Sequence, residues 1–275
     1  MGDGDTVNYV LLTAAAERPD ALARAHETAD ELRRRDVNAH VSELERLGET
    51  ELPDDALVVS LGGDGTFLRA ARFAHRYGAR ILPVHLGRVG FLLNVPSDEI
   101  TTAVEAALSS SESVNRLALS ICVGADPARH FALNEVVLER YEAGRMVRVL
   151  TSVDGEEYLT YTADSVMVAT ATGSTAYNFS AGGPVVDPSL DVLILTPVAP
   201  HFTIDRSIVV SGERVVRLLV TDRPANVVID GRLAGALTPG QEVTVTRQPE
   251  PVRVVYSSTF ELGHRLRSNL REGHA

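Results

Sequence analysis

The run Ala56-Leu57-Val58-Val59-Ser60-Leu61 leads without a break into Gly62-Gly63-Asp64-Gly65-Thr66. Such an apolar run reads as a parallel strand covered on both faces. The glycines allow a tight turn, and a helix over about 67–77 follows. Outward from this point the same rhythm continues. Residues 7–12 read as a buried strand. Residues 19–35 read as a helix opened by Pro19, with Leu22, Ala25, Ala29 and Leu32 on its apolar face. Residues 37–41 and 80–86 read as further strands. This alternation predicts an N-terminal Rossmann-like domain, a doubly wound parallel sheet.

A helix is expected from Pro96 to about Leu108, and Ser109-Ser110-Ser111 then breaks the pattern. Beyond it come short, β-branched, alternating segments at 116–123, 131–139, 146–153, 157–169, 192–196, 215–220, 225–230, 242–247 and 252–256. Asp154-Gly155, Asp230-Gly231 and Pro239-Gly240 punctuate them. The pattern predicts a C-terminal antiparallel β-sandwich domain with one helix near 174–181. A last helix over 260–270 is expected to return to the first domain. The predicted boundaries are 1–97 for the α/β domain, 98–256 for the β-rich domain and 257–275 for the returning helix.

Composition narrows the chemistry. The 275 residues suffice for two domains, and all 26 basic residues are arginine. Without lysine there is no Walker-A lysine, no protein-kinase strand lysine and no Schiff base. A formal net charge of −11 disfavours nucleic acid and anionic membranes as partners. The 37 acidic residues fit a halophilic protein whose folding requires molar salt. A single cysteine, Cys122, and an acidic N-terminus without an apolar segment point to a cytoplasmic location. Cys122 is expected to be a buried strand thiol. No histidine or cysteine spacing suggests a protein-held metal.

Three stretches carry candidate chemistry. At Gly62-Gly63-Asp64-Gly65-Thr66, bare N–H groups at a helix start can receive phosphate through Gly62, Gly63, Gly65 and Thr66. Asp64 there suits a general base or a metal-side carboxylate, or else only a helix cap. Arg69 can face phosphate or solvent. Asn134-Glu135 interrupts an apolar strand, and buried polar groups need partners that a ligand can supply; a pair at a strand edge facing water is the plainer reading. Arg145 is either a phosphate contact or a surface charge. The stretch Thr172-Gly173-Ser174-Thr175-Ala176-Tyr177-Asn178-Phe179-Ser180-Ala181-Gly182-Gly183-Pro184 gathers hydroxyls, an amide and a ring suited to a nucleotide, or to capping a helix. It contains no GxSxG elbow.

Together these stretches, with Gly87-Arg88-Val89-Gly90-Phe91-Leu92 and Thr196-Pro197-Val198-Ala199-Pro200-His201, resemble the NAD kinase family over about residues 56–260. The resemblance implies phosphoryl transfer from ATP, or polyphosphate, to the 2′-hydroxyl of the adenosine ribose of NAD, with Mg²⁺ or another divalent cation accompanying ATP. It implies Asp64 as proton acceptor. It implies an NAD site lined by Asp64, Gly65, Arg69, Asn134, Glu135, Arg145, Asp164, Thr175, Ala176, Tyr177, Asn178, Phe179, Ser180 and Ala199. It also implies a homodimer or homotetramer in which Asp164 and Tyr177 reach a neighbour's ligand. The chain departs from the family pattern at Ala163-Asp164-Ser165, at Ala171 and at Arg232. The competing readings are a lipid kinase of the same superfamily and a non-catalytic NAD(H) sensor.

Overall fold

The computed structural model describes residues 9–87, 90–256 and 262–271. The chain forms two compact units, 1–115 with 252–275, and 116–251.

In the first unit the strands Asn38–Glu43, Tyr9–Ala14, Leu57–Gly62, Arg80–His85, Val252–Val254 and Val114–Arg116 lie side by side in that order. A short strand, Val95–Pro96, also pairs with Arg80–His85. The four leading strands, Val95–Pro96 and Val252–Val254 are paired in parallel. Alternate residues of the central strands point to opposite faces. Val10, Leu12, Leu57, Val59, Leu82 and Val84 share one face with the apolar sides of the helices Pro19–Arg33 and Ile100–Ser109. The helix Asp64–Arg76 lies outside that cluster and buries Phe67, Ala70, Ala71, Phe73 and Ala74. Helices therefore cover both faces, the doubly wound arrangement read from the sequence.

The domain division differs from the expected break after residue 97. Ile100, Ala103, Val104 and Ala107 pack into the core of the first sheet, so the helix Ile100–Ser109 belongs with it. So does Val252–Val254, because it pairs with Arg80–His85. The helix expected over 260–270 is present as Leu262–Arg271. Residues 7–8, 88–89 and 260–261, which fall within expected elements or motifs, lie outside the described residues.

The second unit holds two six-stranded antiparallel sheets. One runs Glu156–Ala163, Val147–Val153, Val216–Val220, Glu242–Arg247, Leu119–Val123, Arg129–Ala132. The other runs Ile208–Ser211, Val192–Val198, Ser165–Thr170, Glu135–Arg140, Ala225–Ile229, Arg232–Leu237. One apolar cluster, including Val136, Leu138, Val149, Tyr161, Val166, Val168, Leu218 and Val245, fills the space between them. Cys122 lies in a strand as expected, but it is half-buried.

Two segments read as single strands are each broken in two. Residues 131–139 split at Leu133-Asn134, and 157–169 split at Asp164. At each break the chain leaves one sheet and enters the other. Both breaks fall on polar residues singled out above.

Candidate active site

In the first unit the strand Leu57–Gly62 ends and the helix Asp64–Arg76 begins with Gly63 as its N-cap. Asp64 sits in the first turn, and among the described residues no side chain caps this helix end. Its carboxylate is thus not used as a cap. A Cβ at Gly62 would lie 2.6 Å from Thr66 Oγ1, so the turn needs glycine there. At Gly63 and Gly65 a Cβ would meet nothing within 4 Å, which leaves an open, bare backbone at the helix start. Such a start favours an anion through its free N–H groups and the helix dipole.

The Asp64 carboxylate is held from one side. Phe91 N–H donates to Oδ2 and Leu92 N–H to Oδ1, each at 3.3 Å. Gly90 lets this segment come close, since a Cβ there would lie 2.3 Å from Asp64 Oδ1. Arg265, on the last helix, donates to Gly90 O at 2.9 Å and also to Leu93 O. Burial raises the Asp64 pKa above the usual carboxylate range; the Leu92 and Phe91 N–H groups and the Arg265 charge pull it back only in part. A carboxylate with a raised pKa is a stronger proton acceptor. Arg69, one turn further on, is engaged with Glu45 at 2.7 Å.

In the second unit Asn134 and Glu135 are buried where the chain crosses between sheets. Among the described residues, Asn134 Oδ1 and Glu135 Oε2 find no hydrogen-bond partner. The backbone around them is fully engaged. Asp230 accepts the N–H groups of Leu133 and Asn134 at 2.9 Å and of Glu135 at 3.2 Å. Thr170 N–H donates to Asn134 O at 2.8 Å, and Thr170 Oγ1 to Leu133 O at 2.6 Å. Burial, then the charge of Asp230, pushes the Glu135 pKa up to about 8.

The stretch 172–184 leans on this pair. Gly173 N–H donates to Thr170 Oγ1 at 3.0 Å, and a Cβ on Gly173 would lie 2.2 Å from Asn134 O. The helix expected near 174–181 is a 3₁₀ turn, Thr172–Thr175, followed by a single turn, Tyr177–Ser180. Thr175 and Ala176 are half-buried, while Tyr177, Phe179 and Ser180 are exposed and Tyr177 and Phe179 show their rings. Asn178 is buried and spent on structure: Nδ2 donates to Ser174 O and Pro184 O, and Oδ1 accepts from Thr196 Oγ1 at 2.7 Å.

The remaining candidates stand apart from this network. Asp164 pairs with Arg140 at 2.7 Å. Arg145 is exposed and faces Glu142 at 3.5 Å. Ala199 is exposed in a left-handed conformation (φ 48°). Asp230 and Arg265 were not among the sequence candidates. Asp230-Gly231 carried a turn signal, and the turn is there, but its carboxylate role depends on partners 95–97 residues away. Among the described residues no group of three His, Cys, Asp or Glu could hold a metal ion. No described helix is long and apolar enough to cross a membrane.

The chain matches the ATP-NAD kinase N-terminal domain over residues 11–112 and the ATP-NAD kinase C-terminal domain over 133–257. It is 37% identical to the NAD kinase of Thermobifida fusca, covering 96% of this chain and 89% of that one. It belongs to the NAD kinase family. NAD kinase 1 of Streptomyces avermitilis is 38% identical over 86% of this chain and 76% of its own length. Among solved structures, an Archaeoglobus fulgidus NAD kinase in complex with ATP superposes with a TM-score of 0.73 at 30% identity, covering 96% of this chain and 97% of that one. Yeast NADH kinase complexed with NADH gives a TM-score of 0.84 at 23% identity, over 98% and 89% of the two chains, a likeness of fold. Family membership makes this chain a kinase, and the two-domain α/β and antiparallel β architecture is the family's.

Proposed function

We propose that this kinase transfers the terminal phosphoryl group of ATP to the 2′-hydroxyl of the adenosine ribose of NAD, with Asp64 as general base. The Asp64 carboxylate takes the hydroxyl proton as the 2′-oxygen bonds to phosphorus. The bond from that phosphorus to the bridging oxygen breaks, and ADP leaves with its electron pair. The products are NADP, ADP and a proton.

The observation that carries this reading is the Asp64 carboxylate itself. It stands at a bare glycine turn where phosphate can approach, its pKa is raised, and it is not used to cap the helix. A carboxylate beside a phosphate site repels the substrate, and a base for the acceptor hydroxyl explains its presence. The open N–H groups from Gly63 to Thr66 suit the phosphates. Asn134 Oδ1 and Glu135 Oε2, buried and unpartnered, suit the acceptor's adenosine and ribose hydroxyls. The exposed Tyr177 and Phe179 rings offer stacking surfaces.

Mg²⁺ enters, in this reading, with the triphosphate as part of the substrate. It supplies charge neutralisation that arginines and the helix start only partly provide. ATP is favoured over polyphosphate by the match to ATP-NAD kinase domains and by the ATP-bound relative. A homodimer or homotetramer, a cytoplasmic location and a need for molar salt belong to the same proposal.

The test is NADP formation from NAD with Mg²⁺ and either ATP or polyphosphate, at low and high salt. NADP made with ATP is the expected result. Folded protein that binds NAD yet makes no NADP with either donor would turn the reading to a sensor.

A further inference from the structure

Asp230 follows the strand Ala225–Ile229 and begins a tight turn, with Asp230 at φ 45° and Gly231 at φ 73°. Asparagine or glycine would make this turn as well or better. What aspartate adds is a carboxylate that accepts three successive backbone N–H groups. Two of them, from Leu133 and Asn134, fall at the crossing between sheets, where no strand ladder can receive them. Asp230 N–H in turn donates to Glu135 O at 3.0 Å. The loop bearing Asn134 and Glu135 is thus clamped to one side chain about a hundred residues away.

We propose that Asp230 is a positioning residue for the phosphoryl acceptor: by binding the backbone of Leu133, Asn134 and Glu135 it aims the free side-chain oxygens of Asn134 and Glu135 at the substrate ribose. This rests on the reading that the acceptor is NAD bound at that pair.

The electrostatics separate a positioning role from a structural one. A carboxylate beside a buried glutamate costs stability, because like charges repel in a poorly solvated place. The strand on one side of Glu135 presents Ala169 opposite it. The strand on the other side presents Ile229 opposite Val136 and then Asp230. Among the described residues Asp230 is the charged group that acts on Glu135, and together with burial it keeps Glu135 protonated at neutral pH. Ribose hydroxyls that donate to Glu135 stabilise its ionised form, so binding releases that proton.

The test is Asp230→Asn. The amide oxygen still accepts N–H bonds, but the charge is gone and an NH₂ group meets one backbone N–H. The Glu135 carboxyl, followed by carbon NMR in the free protein, is expected to titrate about one pH unit lower than in the wild type. Easier ionisation of Glu135 would by itself lower the KM for NAD, so the lost aim of Asn134 and Glu135 is read as a KM that instead rises about tenfold, with a smaller change in kcat. A folded variant with an unmoved Glu135 titration and an unchanged KM overturns the proposal. If the variant does not fold, wild-type calorimetry in two buffers of different ionisation heat decides. Proton release on NAD binding below pH 8 supports the proposal, and binding without release overturns it. Wild-type protein that binds no NAD refutes the functional reading, while the titration of Glu135, read without NAD, still judges the part played by Asp230.

Discussion

Asp64 in the first unit and Asp230 in the second are both carboxylates held by backbone N–H groups, and they are held differently. Asp64 receives two long bonds of 3.3 Å and is half-buried beside open glycines. Asp230 receives three bonds of 2.9–3.2 Å from consecutive residues. In the proposed mechanism the carboxylate that accepts the proton is left with little stabilisation of its charge. A carboxylate that must hold a backbone is saturated with donors, and the unpartnered oxygens lie on the residues it holds. The proposed division of labour is chemistry at Asp64 and acceptor placement at Asn134 and Glu135.

Glycine substitutions break the two regions differently. Gly173→Ala puts a Cβ into the backbone of Asn134, which cannot swing aside, so it is expected to cost about 3 kcal/mol or more. Denaturant titration measures this loss.

Glu135→Gln tests the buried carboxyl. Its folded pKa of about 8 lies above the ordinary 4.5, so its favourable contribution is full below pH 4.5 and is lost as pH rises to 8. Above pH 8 the variant is expected to exceed wild type in stability by several kcal/mol, with the advantage shrinking toward pH 4.5. Unfolding curves across that range check the slope.

Gly90→Ala pushes on the Asp64 carboxylate, the end of a movable side chain. Its expected effect is about a tenfold loss of kcat, from a misplaced base, with little loss of stability. Steady-state kinetics beside a melting curve separates the two. The smallest effect belongs to Arg140→Ala, which breaks an exposed ion pair with Asp164 and is expected to cost less than about 1 kcal/mol in denaturant titration.

Much of this was legible in the sequence, for physical reasons. The apolar run ending in glycines at 56–66 marks a strand, a turn and a helix through local geometry alone. Asn134-Glu135 stood out because polar residues interrupt a buried run. The same contrast hid its meaning: the segment 131–139 reads as one strand, whereas the polar pair lies where the chain changes sheets. Arg69 and Arg145 were as readable as phosphate ligands as they were as surface charges, and both are paired with glutamates. Asn178 looked like a ligand group because its amide sits among hydroxyls, yet tertiary neighbours consume its hydrogen bonds. Asp230 and Arg265 were out of reach, since their partners lie 95–97 and 172–175 residues away and only the fold brings them together.

The most direct test of the division of labour compares kcat and NAD affinity in Asp64→Asn and Glu135→Gln. The account predicts that Asp64→Asn loses about 10²–10⁴-fold in kcat and still binds NAD as wild type does. It predicts that Glu135→Gln chiefly weakens NAD binding. An Asp64→Asn enzyme that turns over at the wild-type rate, or a Glu135→Gln enzyme that binds NAD unchanged while losing kcat, would contradict it.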